Sequence, residues 1–256
     1  MTPLLQWLRP RIPVRLRVGV VRRPLAHQLY VTLHRRSRWA GARVAMPEDA
    51  RRRLEARDGT PGVKLNVGGG KGHEKTEGWT VVDLRDSAEV ILDLTAQRLP
   101  FADGAVDVIF TSHTLEHIYP QRLHFVLTEF ARVLHPAHGL VRIGVPDIEL
   151  AIRAYQAQDY GFFLGGSEVT VADREAPIGG LLASWLYSTR RFDDPQLRHG
   201  EGHVHCFDEE HLAHWLRRAG FRCVWRSAYR QSALPELQGE AFDRHPNETL
   251  FMEAMR

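Results

Sequence analysis

The chain has 256 residues, of which 43% are hydrophobic and 25% charged, and its formal net charge is +3. This length and balance suit one large α/β domain with or without an appendage, and they exclude disorder throughout. No apolar run approaches the length of a membrane span, and no signal-peptide core is recognisable. Cys206 and Cys223 show no CxxC spacing, so we expect reduced thiols in a cytoplasmic protein.

The positive charge is concentrated near the N-terminus. Residues 1–58 hold 14 arginines and four acidic residues, a net charge of +10, so the remaining residues carry −7 of the total of +3. We predict a basic N-terminal extension over 1–58 and an acidic body over 59–256. Residues 1–46 could bind an anionic membrane surface, such as the inner membrane face, or RNA; alternatively they form a partly helical extension packed on the body.

In chain order, an acidic first turn at Glu48 and Asp49 predicts a helix, and a short apolar strand follows at Val63. That strand leads into a glycine loop (Gly68, Gly69, Gly70, Gly72). Glycine allows positive φ and close approach of a ligand, so the loop predicts a nucleotide-like cofactor, with a tight turn as the alternative. The third glycine of the dinucleotide fingerprint is replaced by His73, which favours S-adenosylmethionine over NAD.

The rest of the body alternates between apolar strands and amphipathic helices. Strands are predicted at Thr80–Asp83, Val90–Leu92, Ala105–Thr111, Leu140–Val145, Phe221–Trp225 and Thr249–Met255. Helices are predicted at Gln121–Leu134 and Glu209–Ala219, the second with Asp208 as N-cap. This alternation predicts a doubly wound α/β sheet with helices on both faces.

Polar residues follow several of these strands and should therefore meet on one rim of the sheet, where cofactors bind. They are the glycine loop, Asp83, Asp93-Leu94, Ser112-His113 and Pro146-Asp147. Residues 148–207 interrupt the alternation. A segment of this length between a strand and the next sheet helix predicts a lid or acceptor-binding insertion.

Five segments together resemble a class I S-adenosylmethionine-dependent methyltransferase of the methyltransferase type 11 kind found with bacterial surface-polysaccharide biosynthesis. They are LNVGGGKG, GWTVVDL, DLTAQRLPFADGAVDVIFTSHTLEHI, EFARVLHPAHGLVRIGVPDIE and HVHCFDEEHLAHWLRRAGF. The resemblance runs from Val63 to the C-terminus and matches the insertion only loosely. It implies a Rossmann-like seven-stranded sheet of order 3-2-1-4-5-7-6 with an antiparallel last strand.

The resemblance also implies the cofactor site. Residues expected to contact S-adenosylmethionine are Asn66, Gly68, Gly69, Gly70, Asp83, Leu84, Asp93, Leu94 and Ser112. Asp83 would hold the ribose hydroxyls, and Asp93 with Leu94 would lie beside the adenine. Asn66 departs from the family pattern, in which many members have an acid that orients the methionine amine. An amide carbonyl can still accept that hydrogen bond.

The implied reaction is methyl transfer, with a small-molecule or glycan hydroxyl as the expected acceptor. Methyl transfer asks mainly for alignment, but a hydroxyl acceptor also needs a base, for which His203, His113 and His117 are the candidates. We expect His203 to face the methyl group across the pocket from residues 112–117. Packing or capping roles remain the alternative for each histidine.

Three rival functions stay open. An RNA methyltransferase could use the basic extension for phosphates, although SHTL replaces the Asn/Asp-Pro-Pro-aromatic motif of nucleobase amine methylation. A metal site could form from His199, His203, His205 and Cys206, but the spacing fits no standard set and we expect no metal. The third rival is a cofactor-binding scaffold without turnover.

Overall fold

The computed structural model describes residues 46–57, 59, 62–69, 76–164, 176–187, 202–239 and 241–256. Helices in these ranges are α1 (Glu48–Glu55), α2 (Pro120–Val133), α3 (Ile148–Gln156), α4 (Tyr160–Leu164), α5 (Ile178–Tyr187) and α6 (Glu209–Arg218), with 3₁₀ turns at Leu115–His117 and Pro235–Gln238. Strands are β1 (Lys64–Val67), β2 (Thr80–Asp83), β3 (Val90–Ile91), β4 (Val108–Ser112), β5 (Leu140–Pro146), β6 (Cys223–Arg226) and β7 (Thr249–Met255).

The seven strands form one sheet of order β3-β2-β1-β4-β5-β7-β6. Neighbours from β3 to β5 pair in parallel, whereas β7 is antiparallel to both β5 and β6. The predicted α/β class, strand order and antiparallel last strand are therefore confirmed. Parallel strands leave their carboxyl ends on one rim, which places the glycine loop, Asp83 and Ser112 at the same edge.

The predicted strand at 105–111 begins later than expected, at Val108. Asp107 lies just before it, and its Oδ2 accepts hydrogen bonds from the backbone N–H groups of Gly62 and Val63, at 2.8 and 3.0 Å. The residues before Val108 therefore hold the start of β1 in place and do not extend β4. The glycine loop at the carboxyl end of β1 therefore follows a strand whose start is held in place by hydrogen bonds.

The two faces of the sheet are covered differently. One face packs against α2 and α6 through a core that includes Ile109, Phe130 and Leu216. The other face packs against α1 and the 234–242 loop, where Phe242 contacts Trp79 and Phe110 with ring centroids 4.8 and 5.0 Å apart. This loop therefore buries apolar side chains in place of a covering helix.

A buried arginine attaches this loop to the sheet. Arg142 on β5 has no exposed surface and donates hydrogen bonds to Asp243, Glu253 and Ser227. A buried guanidinium is tolerated only when its donors are satisfied, and here the loop supplies part of that set. The hydrogen bonds of Arg142 consequently hold the loop against β5 and β7.

Helix α1 belongs to the predicted extension, yet it packs on the body. Ala50 is fully buried, and the guanidinium of Arg53 donates to the backbone carbonyls of Pro136, Ala137 and Arg256. The boundary at residue 58 stays a prediction, and the arginine-rich part of the extension up to residue 45 lies outside the described residues. None of the described helices is long and apolar enough to span a membrane.

The described part of the insertion consists of α3, α4 and α5, which form their own apolar cluster around Phe163, Leu181 and Trp185. α3 begins at the N-cap Asp147, whose side chain accepts from Glu149 N. Trp185 Nε1 donates to Glu248 Oε2 at 2.9 Å, which links α5 to the segment before β7. Residues 165–175 and 188–201 of the insertion lie outside the described residues.

Candidate active site

The glycine loop begins at the carboxyl end of β1. Gly68 has a φ of +74°, and a Cβ placed there would lie 2.1 Å from Thr114 Oγ1. At Gly69 a Cβ would lie 3.1 Å from Asn66 Nδ2. At Gly68 the backbone lies in the left-handed region and a Cβ would collide with Thr114, so this position requires glycine, whereas at Gly69 a Cβ would make a tight contact with the Asn66 side chain. Gly70 lies outside the described residues.

Asn66, next to the glycine loop, is a second residue that indicates a bound ligand. Its side chain is 2% exposed, and its Oδ1 is buried without a hydrogen-bond partner among the described residues. Leaving a buried acceptor unpaired costs about 1–3 kcal/mol, so such atoms usually have a ligand, water or protein partner. A cofactor with an ammonium group would supply the missing donor beside the glycine loop.

The next two predicted positions lie at the end of β2. Asp83 Oδ1 accepts from Arg85 N at 3.0 Å, which orients the carboxylate at the rim. Leu84 follows with 69% of its surface exposed. An acceptor-only carboxylate next to an exposed apolar side chain suits a ribose and the flat base attached to it.

Asp93 and Leu94 are positioned after β3. Asp93 Oδ1 accepts from both the N–H and the hydroxyl of Thr95, at 2.8 and 2.7 Å, so the carboxylate closes a local turn. Leu94 is partly buried against the main core. The turn presents backbone to the rim, and contact of these two residues with adenine stays a prediction.

The end of β4 approaches the glycine loop directly. Thr114 Oγ1 lies 3.3 Å from Gly68 O and 3.2 Å from Ser112 O. Ser112 itself is half-buried, and its Oγ would meet a Cβ at Gly144 at 3.0 Å. The residues after Ser112 therefore start within contact of the predicted cofactor loop.

His113 is held in an uncommon backbone conformation. Its φ is +51°, which is rare outside glycine, and it is fixed by a hydrogen bond from its own N–H to Gly144 O at 2.9 Å. On the side chain, Nε2 lies 2.9 Å from Thr249 Oγ1 and Nδ1 lies 3.4 Å from Glu116 Oε1. Such strain is retained where the surroundings determine the conformation, often at functional sites.

Three imidazoles surround Glu116, which is fully buried. Besides His113, Nε2 of His117 and Nε2 of His203 each lie 3.9 Å from Glu116 Oε1. The rings of His117 and His203 meet edge to face with centroids 5.1 Å apart. We call Glu116, His113, His117 and His203 the Glu116 cluster. The three predicted base candidates are thus close together.

Their environments differ. Burial, with a smaller contribution from the neighbouring His245 ring, lowers the pKa of His113 to about 3. His113 is consequently neutral at neutral pH and a weaker base than an ordinary histidine. His203 has a side chain that is 14% exposed, and that of His117 is 33% exposed, so both can be reached from solvent.

The alternative metal site considered from the sequence comprised His199, His203, His205 and Cys206. The structure places its described members in different surroundings. His205 packs on Phe207 and His211, with ring centroids 4.4 and 5.0 Å apart, and burial lowers its pKa to about 4. Burial also raises the pKa of the Cys206 thiol. His199 lies outside the described residues. Within the described ranges, the metal-ligating side chains that converge with His203 are Glu116 and His117.

Sequence reasoning missed Glu116 and the residues that support His113. Glu116 stands in the LEH segment, and a carboxylate between Leu115 and the candidate base His117, shortly after a buried strand, could have drawn attention to it. Thr249, His245 and Glu248 come from the far end of the chain, and no local pattern connects them to His113. Only the antiparallel pairing of β7 with β5 brings them there.

Residues 67–141 match the model of a methyltransferase domain. No curated protein matches the chain. Among solved structures, a SAM-dependent methyltransferase from Archaeoglobus fulgidus is 16% identical, with 75% of this chain and 85% of that chain covered and a TM-score of 0.43.

A Burkholderia thailandensis 1,6-didemethyltoxoflavin-N1-methyltransferase, with bound 1,6-didemethyltoxoflavin and S-adenosylhomocysteine, is 18% identical, covers 96% of this chain and 91% of its own, and has a TM-score of 0.41. Likenesses at this level carry no argument about substrate. The class rests instead on the domain match, the strand order and the rim residues.

Together these features define a class I S-adenosylmethionine-dependent methyltransferase domain. The chain is an enzyme of this class, and its methyl donor is S-adenosylmethionine. The site fits that cofactor, because Asn66 Oδ1 lacks a partner among the described residues, Gly68 leaves no room for a side chain, and Asp83 is oriented at the rim. When bound, the cofactor supplies a methyl group already activated by its sulfonium.

Proposed function

We propose that the enzyme transfers the methyl group to a hydroxyl of a small molecule or glycan. The observation that carries this proposal is the Glu116 cluster. Three of its residues follow β4, next to Thr114, whose Oγ1 lies 3.3 Å from Gly68 O in the glycine loop, and His203 joins them from the end of the insertion. A hydroxyl must lose its proton as it attacks, whereas the methyl carbon needs only alignment. Imidazoles beside the cofactor loop meet that need.

His203 is the candidate base. It lies at the end of the insertion, which we propose as the acceptor lid. Its backbone N–H donates to Tyr187 O at 3.1 Å, which attaches the backbone of His203 to the end of α5. His113 is less suited, because its pKa of about 3 makes it a weak proton acceptor. Nδ1 of His117 donates to Gly202 O, 3.2 Å away, which favours an orienting role for His117.

Cofactor binding would depend on Asn66, Gly68, Gly69, Gly70, Asp83, Leu84, Asp93, Leu94 and Ser112. In this arrangement Asn66 Oδ1 accepts from the amino group and Asp83 accepts from the ribose hydroxyls. Leu84 would pack on the adenine. The apolar core around the strand ends would exclude water from the methyl group.

The test is transfer from radiolabelled S-adenosylmethionine to a panel of methyl glycosides and phenols, with matched amines as comparison acceptors. His203→Ala should keep its affinity for S-adenosylhomocysteine while its rate with the accepted hydroxyl falls by roughly 10²–10⁴-fold. Full turnover in His203→Ala would remove the base assignment. Transfer to the amines alone would overturn the proposal of O-methylation.

The arginine-rich extension supports a second proposal about partners. We infer that residues 1–46 bring the enzyme to an anionic partner, an inner membrane face or RNA, from a cytoplasmic location. A surface-polysaccharide acceptor would suit the membrane alternative. Binding to anionic vesicles and to RNA, measured at low and high salt with and without residues 1–46, distinguishes the two partners. Equal binding in both forms would make the extension structural.

A further inference from the structure

Glu116, His117 and His203 offer three metal-ligating atoms that lie within 4.8 Å of one another. The carboxylate is 1% exposed, while the two histidines open towards solvent. Nε2 of each histidine lies 3.9 Å from Glu116 Oε1, which is longer than a direct hydrogen bond and leaves space between the atoms. The three atoms therefore lie close together, and the two histidines make the cluster accessible from solvent.

The main chain fixes this geometry. Glu116 O accepts hydrogen bonds from Val204 N and His205 N, at 2.9 and 3.1 Å, so the segment after His203 is bound to the turn that carries Glu116. His203 N is itself bound to Tyr187 O. The relative position of the three side chains is thus set by backbone contacts and does not depend on their own attraction.

The tautomer of His117 also suits a ligand. Nδ1 lies 3.2 Å from Gly202 O, and a carbonyl can only accept, so Nδ1 carries the proton. In the neutral imidazole, Nε2, which faces Glu116, is then the unprotonated nitrogen. Metal-binding histidines usually donate the second ring N–H to a carbonyl or carboxylate in this way.

The distances are close to those a bound ion requires. Zinc takes imidazole nitrogen and carboxylate oxygen at about 2.0–2.2 Å, which places tetrahedral ligand atoms about 3.3 Å apart. The ligand atoms of Glu116, His117 and His203 lie 3.9 to 4.8 Å apart, so side-chain rotations that bring them about 0.6–1.5 Å closer would reach that separation. Two imidazoles and one carboxylate leave further coordination positions open on the solvent side.

We propose that Glu116, His117 and His203 form a binding site for one divalent transition-metal cation. The site differs from the set His199, His203, His205 and Cys206 suggested by the sequence, and it departs from the expectation of no metal. It goes beyond the proposed function, because binding of the cation requires no acceptor. It also limits that function, since an ion bound to Nε2 of His203 occupies the lone pair that a general base would use.

The test uses the full-length chain without a histidine tag, treated with a chelator and dialysed. Titration calorimetry with zinc chloride should give one ion per chain, and cobalt(II) should give a visible absorption spectrum that zinc abolishes. Glu116→Gln and His203→Ala should each raise the zinc Kd at least about 10-fold. His205→Ala, which changes the neighbouring imidazole, should leave the Kd unchanged.

Titration of each variant with S-adenosylhomocysteine shows that it is folded and separates the two proposals. Absence of zinc binding by the wild type, or equal Kd values for wild type, Glu116→Gln and His203→Ala, would overturn the metal site. Lost transfer in His203→Ala together with no zinc binding would leave the base assignment standing alone. Zinc binding that depends on Glu116, with full turnover in metal-free His203→Ala, would support the site and reject the base.

Discussion

Nε2 of His203 lies 3.9 Å from Oε1 of Glu116, although one residue ends the insertion and the other follows β4. The contact is maintained by the backbone, because the residues after His203 donate their N–H groups to Glu116 O. The insertion is therefore attached to the sheet at the point where the cofactor loop and the candidate bases meet. This attachment places the end of the insertion beside the candidate bases.

Asn66 should lower the stability of the folded protein and strengthen binding of the cofactor. Asn66→Leu removes a buried oxygen that lacks a partner among the described residues, so the free energy of unfolding should rise by about 1 kcal/mol. Affinity for S-adenosylhomocysteine should fall by about 10-fold, as the amino group loses its acceptor. Denaturant titration and calorimetry measure both. Thr111→Val, which removes another such oxygen, should stabilise without the loss of affinity. Unchanged affinity in Asn66→Leu would separate Asn66 from the cofactor.

Gly68→Ala should destabilise the loop itself. A residue with a side chain at φ +74° costs about 1–2 kcal/mol, and the Cβ must also displace Thr114 from 2.1 Å. The free energy of unfolding should therefore fall by at least about 2 kcal/mol, together with cofactor affinity. Gly179→Ala in α5 meets nothing within 4 Å and serves as the control, with a gain of up to about 1 kcal/mol. A stable Gly68→Ala protein would contradict the loop geometry.

His113 should make stability depend on pH. Its folded pKa of about 3 lies below the ordinary value of 6.5, so the unfolded chain binds the proton more tightly. Stability should be greatest above pH 6.5 and fall as pH drops from 6.5 towards 3, by up to about 1.4 kcal/mol per pH unit from this residue. Denaturation of wild type and His113→Asn across that range tests this expectation. Identical pH slopes would show that His113 titrates normally in the folded protein.

Arg142 should be the most sensitive structural position outside the site. Arg142→Met leaves the carboxylates of Asp243 and Glu253 buried without their cation, which should cost about 3–5 kcal/mol. The exposed pair of Arg153 with Glu149 gives the comparison, since Arg153→Met should change stability by less than about 0.5 kcal/mol. Chemical denaturation of both variants provides the measurement. Equal effects would mean that the loop between β6 and β7 does not depend on Arg142.

Local patterns predicted the strands and the main helices because burial on both faces and helical spacing leave clear signals. The strand Thr249–Met255 and the N-cap Asp208 were confirmed at the predicted residues. Boundaries shifted where tertiary contacts decide, as at Val108, where Asp107 serves β1. The covering role of Phe242 was missed because a polar-looking loop gives no sign of which face it covers.

The candidate site was only partly predictable for the same reason. Glycines at 68 and 69 and the acid at 83 form a local motif, and the rim follows from parallel strands. The Glu116 cluster requires contacts between the end of β4, the end of the insertion and β7, which no local spacing encodes. The histidines were found as candidates, whereas the carboxylate at their centre was not.

The central claim is that the rim binds S-adenosylmethionine through Asp83, and one titration tests it directly. Calorimetry of the full-length protein with S-adenosylhomocysteine should show one site per chain. Asp83→Ala should weaken that affinity by about 10- to 150-fold, equivalent to about 1.5–3 kcal/mol, while remaining folded. Asp86→Ala, an exposed acid three residues further along, should bind as the wild type does. No heat of binding in the wild type, or equal affinities for all three proteins, would contradict the account.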